Sequence, residues 1–232
     1  MNNSNNNVAL VTGASSGIGL ATAQALAKAG YRVFGTSRKP IANPQGITML
    51  ICDVTSEASV QALIAVIMKQ AGRIDLVVNN AGVGLLGGAE ESSIAQAQRL
   101  FDVNVFGVAR VVNTVLPIMR QQKSGRIINM SSILGLIPSP FNAFYASSKH
   151  AIEGYSESLD HEVRNFGIRV VLVEPGVTHT SFEENLTRAD RPLPVYELER
   201  ARSESLMRKW IEEGDAPHVV AARSSSRAPP SP

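Results

Sequence analysis

The chain of 232 residues has one cysteine, Cys52, so it cannot form an internal disulfide bond. It also has no excess of charge of one sign, because 22 basic and 20 acidic residues leave a formal net charge of +2. Without a broad basic surface, we do not expect nucleic acid as a partner. The sequence shows no run of about 18 apolar residues, the length that spans a bilayer, so we expect no membrane span.

Two further absences narrow the location and the chemistry. Residues 1–7 are polar, whereas a signal peptide needs a basic and then an apolar stretch, and we therefore expect a cytoplasmic protein. The chain also lacks metal-ligand spacing among its cysteine and histidines, and we therefore expect no metal site. These residues are Cys52, His150, His161, His179 and His218.

What the chain does have is a regular alternation of apolar, β-branched runs with segments of helical period. This alternation is typical of βαβ units and a parallel sheet. The candidate strands are Val8–Thr12, Arg32–Thr36, Ile47–Cys52, Leu76–Asn79, Arg126–Met130 and Arg169–Val173. The candidate helices are Gly17–Lys28, Ser56–Gln70, Ile94–Arg120 and Phe144–Asn165. We predict an α/β fold, a Rossmann-like doubly wound parallel sheet flanked by helices in a single domain.

The last part of the chain departs from this pattern. Residues 177–210 become a polar, proline-containing loop followed by a charged helical stretch, which we expect to form the substrate loop. Residues 223–232 consist of Arg, Ser, Ala and Pro without periodicity and are expected to be disordered. The domain is therefore predicted to cover 1–222.

A glycine-rich turn follows the first candidate strand. The segment Gly13-Ala-Ser-Ser-Gly17-Ile-Gly19 leads directly into a helix. Glycines permit a tight turn and let backbone N–H groups approach a pyrophosphate, which the positive end of the helix dipole also attracts. This context favours a dinucleotide site over an ordinary glycine-rich turn.

The spacing Thr-Gly-x-x-x-Gly-x-Gly resembles that of the short-chain dehydrogenase/reductase family. Further motifs of that family follow in order, and together they cover about residues 8–180. They are Asn79-Asn-Ala-Gly82, Asn104 within Phe101-Asp-Val-Asn-Val-Phe-Gly107, Ser132, Tyr145-Ala-Ser-Ser-Lys149, Pro175-Gly176 and Thr180. The stretch 140–158 is similar to the branch that includes hydroxysteroid and retinol dehydrogenases. Relatives usually continue into a seventh strand, which the proline-rich end cannot supply, and we therefore expect a shortened C-terminus with one unpaired sheet edge.

The resemblance implies a nicotinamide cofactor. The position that meets the adenosine ribose is Ser37, followed by Arg38 and Lys39, with no carboxylate to repel a 2′-phosphate. Arg38 can offer a fork of donors to that phosphate, so we expect NADP(H) in preference to NAD(H). The predicted cofactor-binding residues are Gly13, Ser15, Ser16, Gly17, Ile18, Gly19, Ser37, Arg38, Asp53, Val54, Asn79, Ala81, Gly82, Tyr145, Lys149, Pro175, Gly176, Val177 and Thr180.

Tyr145 and Lys149 stand four residues apart on a predicted helix, which puts both side chains on one face. A free tyrosine has a pKa of about 10, so a base near neutrality needs a neighbouring positive charge such as that of Lys149. By resemblance, Tyr145 exchanges a proton with the substrate oxygen and Lys149 also holds the nicotinamide ribose. Ser132, favoured over its neighbour Ser131, hydrogen-bonds the same oxygen, and Asn104 keeps a water in line with Lys149.

The resemblance therefore predicts an NADP-dependent oxidoreductase that acts on a small-molecule carbonyl or alcohol. Apolar and small residues dominate segments 138–144 and 85–88, which favours a hydrophobic substrate. Long helices equivalent to 94–120 and 144–165 pack against a second subunit in many relatives, so we expect a homodimer or homotetramer. The shortened end keeps open an alternative, a non-catalytic NADP(H)-binding sensor or association protein. A flavin or sugar-nucleotide binder on the same fold is a third.

Overall fold

A computed structural model describes residues 7–180 and 186–226. The described residues form a six-stranded parallel sheet. Its strands are β1 (Val8–Val11), β2 (Arg32–Ser37), β3 (Ile47–Ile51), β4 (Leu76–Asn79), β6 (Gly125–Met130) and β7 (Ile168–Val173). They lie side by side in the order β3-β2-β1-β4-β6-β7. The predicted α/β class and doubly wound parallel sheet are confirmed.

Helices cover both faces of this sheet, and the sequence of β1 shows why. Val8 and Leu10 pack into one core cluster, with the helices at 57–71, 107–122 and 143–163. Ala9 and Val11 pack into the other cluster, with the helices at 17–28 and 217–226. Since side chains alternate across a strand, a strand buried on both faces must be apolar at every position. The helices are α1 (Gly17–Lys28), α2 (Glu57–Ala71), α3 (Ile94–Phe101), α4 (Gly107–Gln122), α5 (Ala143–Val163), α6 (Glu197–Glu212) and α7 (Pro217–Ser226).

The predicted helix 94–120 is interrupted. A five-residue π-helical turn, Asp102–Phe106, separates α3 from α4. Buried residues recur every three or four positions through this turn, at Leu100, Asn104, Val108 and Val111, which explains why periodicity did not reveal it. Asn104 is buried within this turn. Gly107, the first residue after the turn, approaches Val54 so closely that a Cβ atom on Gly107 would lie 2.8 Å from Val54 Cγ2.

The same stretch bears on the expectation of no membrane span. Within the described residues, Ile94–Gln122 alone is long and apolar enough to cross a bilayer, with a mean hydropathy of 1.3 over 18 residues. One-third of that window is buried inside the protein. Val108, Val111 and Val115 pack into the core beneath the sheet, and core helices meet the same criterion. The stretch is not a continuous apolar run, because Arg99, Asp102 and Asn104 lie within it, and it is weak evidence for a span.

A second, two-stranded parallel sheet was not predicted. It pairs β5 (Gly84–Leu86) with β8 (Leu186–Arg188). Just beyond it, the buried carboxylate of Glu91 accepts hydrogen bonds from Gly88 N and Leu193 N and forms an ion pair with Arg200. These contacts join the expected substrate loop to the segment between β5 and α3.

The predicted disorder of 223–232 is wrong for its first four residues. Helix α7 continues to Ser226, with Ser224 buried and its hydroxyl donating to Val220 O. The reason is packing, because Val220 and Ala221 give α7 an apolar stripe that faces α1. Residues 227–232 lie outside the described residues. In the described part of the chain, β7 pairs with β6 alone, so the expected unpaired edge is present.

Candidate active site

The motifs singled out in the sequence lie where parallel strands end. The glycine turn follows β1, Asn79–Gly82 follows β4, Ser132 follows β6 and Pro175 follows β7. Because carboxyl ends of parallel strands share one edge of a sheet, these segments lie at a common edge, where open α/β sheets bind ligands.

The glycine turn is held by two residues that the sequence analysis did not assign to the site, Thr12 and Asn80. Thr12 Oγ1 accepts hydrogen bonds from Asn80 N and Ala81 N, both at 3.0 Å. Asn80 Nδ2 donates to Thr12 O and Gly13 O, also at 3.0 Å. Both residues stand inside the quoted motifs, so their sequence positions were the available signal. Their contacts tie the turn after β1 to the turn after β4.

The turn leaves no room for side chains at two of its glycines. Gly13 has a φ of +64°, and a Cβ there would lie 2.9 Å from Ala81 Cα. A Cβ on Gly19 would lie 2.3 Å from Gly13 O and 2.4 Å from Asn80 Nδ2. The glycine turn and the segment after β4 are therefore in close contact, with little space between their backbones.

The start of α1 fits a nucleotide pyrophosphate. Within the described part of the chain no side chain caps this helix, and its first turn carries no acidic residue. Ser15 and Ser16 are exposed, and Gly17 and Ile18 are partly exposed, so the positive end of the helix is accessible. Thr180 closes this end from the other side, because a Cβ on Gly17 would meet Thr180 Cβ at 3.4 Å.

The expected adenosine end lies at the ends of β2 and β3. Ser37 is buried, with its hydroxyl donating to Lys39 O, and Arg38 is exposed. Asp53 accepts hydrogen bonds from Thr55 N and Thr55 Oγ1, which lower the pKa of its carboxyl group, and the charge of Arg38 lowers that pKa further. The Val54 side chain packs against Gly107 in the core, so Val54 can present its backbone to an adenine but not its side chain.

The remaining predicted nucleotide residues follow β7. Pro175 O accepts a hydrogen bond from Ile133 N, next to Ser132, and Gly176 O accepts one from the Thr178 hydroxyl. Val177 is exposed, and its carbonyl accepts from Asp215 N, just before α7. This segment therefore runs between the glycine turn and Ser132.

Tyr145 and Ser132 meet at the centre of this edge. Ser132 caps the short turn Ile133–Gly135 by accepting from Leu134 N at 3.2 Å, and it forms a hydrogen bond with the Tyr145 hydroxyl. Burial raises the pKa of Tyr145 to about 12, although the Ser132 hydrogen bond acts in the opposite direction. At neutral pH the side chain is therefore a neutral phenol, the form that can donate a proton.

Lys149 lies one turn further along α5, with 7% of its surface exposed. Its Nζ donates to Met130 O at 2.9 Å and lies 5.7 Å from the Tyr145 ring centre. Burial lowers the pKa of this ammonium group to about 8, while the negative charge of Glu153 raises it. Lys149 is thus close enough to act on Tyr145 electrostatically, and its charge is sensitive to its neighbours.

Asn104 has a different set of contacts from the one expected. Its Oδ1 accepts from Val83 N, and its Nδ2 donates to Val83 O and to Ser148 Oγ. Both amide hydrogens are therefore used, whereas Oδ1 keeps a second lone pair that can accept a hydrogen bond from a water, and the expected water beside Lys149 stays a prediction. Through these hydrogen bonds, Asn104 connects the segment before β5 to helix α5.

A buried polar chain beneath the site was also missed. Asn79 Nδ2 donates to Asn129 Oδ1, and Asn129 Nδ2 donates to Ser156 Oγ, both at 2.8 Å. This chain links β4, β6 and α5, so it fixes α5, which carries Tyr145 and Lys149, against the sheet. Asn79 therefore contributes to the site through the sheet.

Comparison with known proteins agrees with this geometry. The family model for short chain dehydrogenases matches residues 7–191. The chain is 45% identical over 178 residues to a 3-ketodihydrosphingosine reductase of Bacteroides thetaiotaomicron, covering 77% of this chain and 66% of the relative. It is 42% identical over 191 residues to retinol dehydrogenase 8 of Bos taurus, covering 76% of this chain and 61% of the relative. The chain thus spans less than two-thirds of the length of these relatives.

Solved structures show the same fold. A short-chain dehydrogenase from Streptomyces avermitilis superposes with a TM-score of 0.85 at 33% identity, covering 97% of this chain and 86% of that one. A Burkholderia phymatum short chain dehydrogenase/reductase in complex with NAD has a TM-score of 0.84 at 28% identity, covering 97% and 86%. ElxO with NADP bound has a TM-score of 0.81 at 27% identity, covering 97% and 92%. Since the family model covers well over half of the chain and sequence, fold and motif geometry agree, this chain is a member of the short-chain dehydrogenase/reductase family.

Proposed function

We propose that the chain is an NADP(H)-dependent oxidoreductase that transfers a hydride between the nicotinamide ring and a carbonyl or alcohol carbon. The observation that carries this proposal is the hydrogen bond between Ser132 and Tyr145, with Lys149 Nζ 5.7 Å from the tyrosine ring, beside a glycine turn that fits a pyrophosphate. A bound nicotinamide supplies or accepts the hydride. The residues of this chain orient the substrate and move the proton.

The proton chemistry follows from the two perturbed pKa values. In reduction, the neutral Tyr145 phenol donates its proton to the carbonyl oxygen, which Ser132 holds by a second hydrogen bond. In oxidation, Tyr145 must first lose its proton, and with a pKa near 12 it needs positive charge close by. Lys149 provides such a charge only while it is protonated, below its own pKa of about 8. Near neutral pH, Tyr145 is therefore in the protonated form that reduction needs, whereas oxidation needs the positive charge of Lys149.

The preference for NADP(H) rests on the end of β2. Arg38 is exposed next to the buried Ser37, where it can reach a 2′-phosphate on the adenosine ribose. Asp53, the carboxylate whose pKa the charge of Arg38 lowers, accepts two hydrogen bonds from Thr55. Solved relatives include complexes with NAD and with NADP, which supports a nicotinamide cofactor for this chain and leaves the preference to Arg38.

A hydrophobic substrate is the second part of the proposal. The apolar segments 85–88 and 138–144 are in contact, because Gly87 N donates to Phe141 O at 2.8 Å. The Phe141 ring also meets the Tyr196 ring edge-on, with 6.2 Å between the ring centres. Leu136 and Ile137, just after Ser132, are exposed. The names of the two curated relatives, a 3-ketodihydrosphingosine reductase and a retinol dehydrogenase, indicate substrates of long apolar character. We therefore propose a bulky, apolar ketone or alcohol.

A second copy of the chain is the proposed partner. A groove of about 770 Å³ runs along α3, the π turn and the start of α5, and apolar side chains dominate its walls. Ile94 and Phe106, which line this groove, are both exposed, and a contiguous exposed apolar patch marks an interaction site. The groove lies on the two helices that the resemblance assigns to subunit contact, which supports a homo-oligomer.

The alternative is a protein that binds NADP(H) without turning over a substrate. The two are separated by following NADPH absorbance with the purified chain against a panel of apolar ketones, aldehydes and quinones, with NADH in parallel. Substrate-dependent oxidation of NADPH supports the enzyme. If NADPH raises the melting temperature and no member of the panel is reduced, the binding protein is supported instead.

A further inference from the structure

A second polar pair lies directly behind the catalytic one. Ser131 precedes Ser132, and its side chain is only 3% exposed. The Glu153 carboxyl group approaches it from α5, two turns after Tyr145. In the described part of the chain, the buried Ser131 Oγ and Glu153 Oε1 have no regular hydrogen bond, and the approach of the Ser131 hydroxyl lowers the pKa of Glu153.

Gly135 shows how tightly this pair is enclosed. A Cβ atom on Gly135 would lie 2.6 Å from Ser131 Oγ and 2.9 Å from Glu153 Oε1. Gly135 ends the short turn Ile133–Gly135 that Ser132 caps. The carboxyl group of Glu153 therefore packs directly against the segment that carries Ser132.

Glu153 also faces Lys149. The two residues stand four apart on α5, so their side chains share one face of the helix. The negative charge of Glu153 raises the pKa of the Lys149 ammonium group and so opposes the effect of burial. The other charged groups around Glu153 are His150 and Glu157 on α5 and Glu174 after β7.

We propose that Glu153 is a positioning residue of the site, which holds the 131–135 turn through Ser131 and keeps Lys149 protonated through its charge. The inference rests on the proposed function, because it assigns Glu153 a part in preparing Ser132 and Lys149. Glu153 touches neither the substrate oxygen nor the cofactor in this account. It acts through the two residues that do.

The charge of Glu153 and its contact with the turn can be separated by pH and by substitution. Burial and the nearby Glu174 and Glu157 raise the pKa of Glu153, while Ser131 and His150 lower it. Below that pKa the carboxyl group is neutral and supports the turn alone, and above it the carboxylate also supports the charge of Lys149. Glu153→Gln keeps a hydrogen-bonding group and removes the charge, whereas Glu153→Met removes both.

The first measurement is an NMR titration of the lysine ε-methylene signals in the full chain, which needs no turnover. The Lys149 signal is identified by its loss in Lys149→Met. We expect the Lys149 midpoint to fall by about one pH unit in Glu153→Gln, the order expected for one charge a helical turn away. Glu157→Gln, the matched control one turn further along, should leave the midpoint unchanged. An unchanged midpoint in Glu153→Gln, or an equal shift in Glu157→Gln, overturns the electrostatic role.

The second measurement is the pH dependence of kcat for NADPH oxidation. In Glu153→Gln, the pH at which activity changes should fall with the Lys149 midpoint, and the curve should meet that of the unsubstituted protein at low pH. In Glu153→Met, kcat should fall at every pH, with little change in the KM for NADPH. Equal kcat in Glu153→Met and the unsubstituted protein overturns the role in holding the turn. If the unsubstituted protein turns over nothing while the Lys149 midpoint still shifts, the proposed function fails and the electrostatic pair stands.

Discussion

Gly19→Ala is expected to disrupt the nucleotide site, and Gly154→Ala provides a matched control. Both glycines lie inside helices, Gly19 in α1 and Gly154 in α5, and neither has a positive φ. A Cβ on Gly154 meets nothing within 4 Å. A Cβ on Gly19 would lie 2.3 Å from the carbonyl oxygen of Gly13 and 2.4 Å from Asn80 Nδ2, so the backbone of the glycine turn must move.

The magnitudes follow from these two environments. Replacing an open helical glycine by alanine stabilises a protein by about 0.5–1 kcal/mol, so Gly154→Ala should raise the Tm by about 1–4 °C. Gly19→Ala gains the same helix propensity, but forcing a methyl group into a packed site costs about 1–3 kcal/mol, and more where backbone opposes it. We expect a net loss of about 1–2 kcal/mol, which lowers the Tm by about 2–8 °C.

Cofactor binding should separate the two variants more sharply than stability does. The backbone N–H groups of the glycine turn must point at the pyrophosphate, and their displacement by Gly19→Ala should weaken NADPH binding at least about tenfold, or about 1.4 kcal/mol. The assay is a fluorescence titration with NADPH at a temperature where both variants are folded. Gly154→Ala should bind as the unsubstituted protein does. If Gly19→Ala binds NADPH equally well, the glycine turn is not the pyrophosphate site.

Three further predictions test the cofactor preference, the acid stability and the partner. Arg38→Ala should weaken NADPH binding by about 10- to 100-fold, the value of a charge-assisted contact, and leave NADH binding unchanged; equal losses for both cofactors contradict the proposed phosphate contact. Asp160, whose hydrogen bonds and ion pairs with Arg169 and Arg164 lower its pKa to about 2, stabilises the fold above pH 4 and loses this contribution as the pH falls towards 2. Urea unfolding should therefore show Asp160→Asn about 1–2 kcal/mol less stable than the unsubstituted protein at pH 7, with the difference shrinking towards pH 2, and a pH-independent difference contradicts this linkage. Phe106→Glu should reduce the oligomeric mass measured by light scattering, whereas Val195→Glu, at an exposed apolar residue outside the groove, should not.

The sheet could be predicted from the sequence because most of its strands are largely apolar, β-branched runs. Six predicted strands match the structure to within one residue at each end, as for Leu76–Asn79. The glycine turn and the Tyr145–Lys149 pair could also be placed, since both depend on short spacings along one strand–helix junction or one helix. These features are local, and local patterns determine them.

The features that could not be predicted depend on distant residues. Glu91 and Arg200 form their ion pair across more than one hundred residues of sequence, and nothing near either residue indicates it. The paired strands β5 and β8 have three residues each, too few for an alternating pattern. Asn104 was placed in the site, but its hydrogen bonds to Val83 and Ser148 follow from the π turn, which apolar periodicity does not reveal.

The role of Ser131 shows the same limit at the catalytic centre. Two adjacent serines follow β6, and the sequence left their ranking to resemblance. In the structure Ser132 meets Tyr145, whereas Ser131 faces Glu153 from the other side of the turn. The contacts of each serine depend on the direction of its side chain, and in extended backbone adjacent residues point in opposite directions.

The central claim is that Tyr145 moves the proton while the rest of the site binds the cofactor. The most direct test is the rate of NADPH oxidation by Tyr145→Phe, measured at saturating substrate beside a fluorescence titration with NADPH. We predict that this variant loses turnover by at least about a hundredfold, the usual contribution of a general acid, and binds NADPH with unchanged affinity. Turnover that survives in Tyr145→Phe with intact binding would contradict the account.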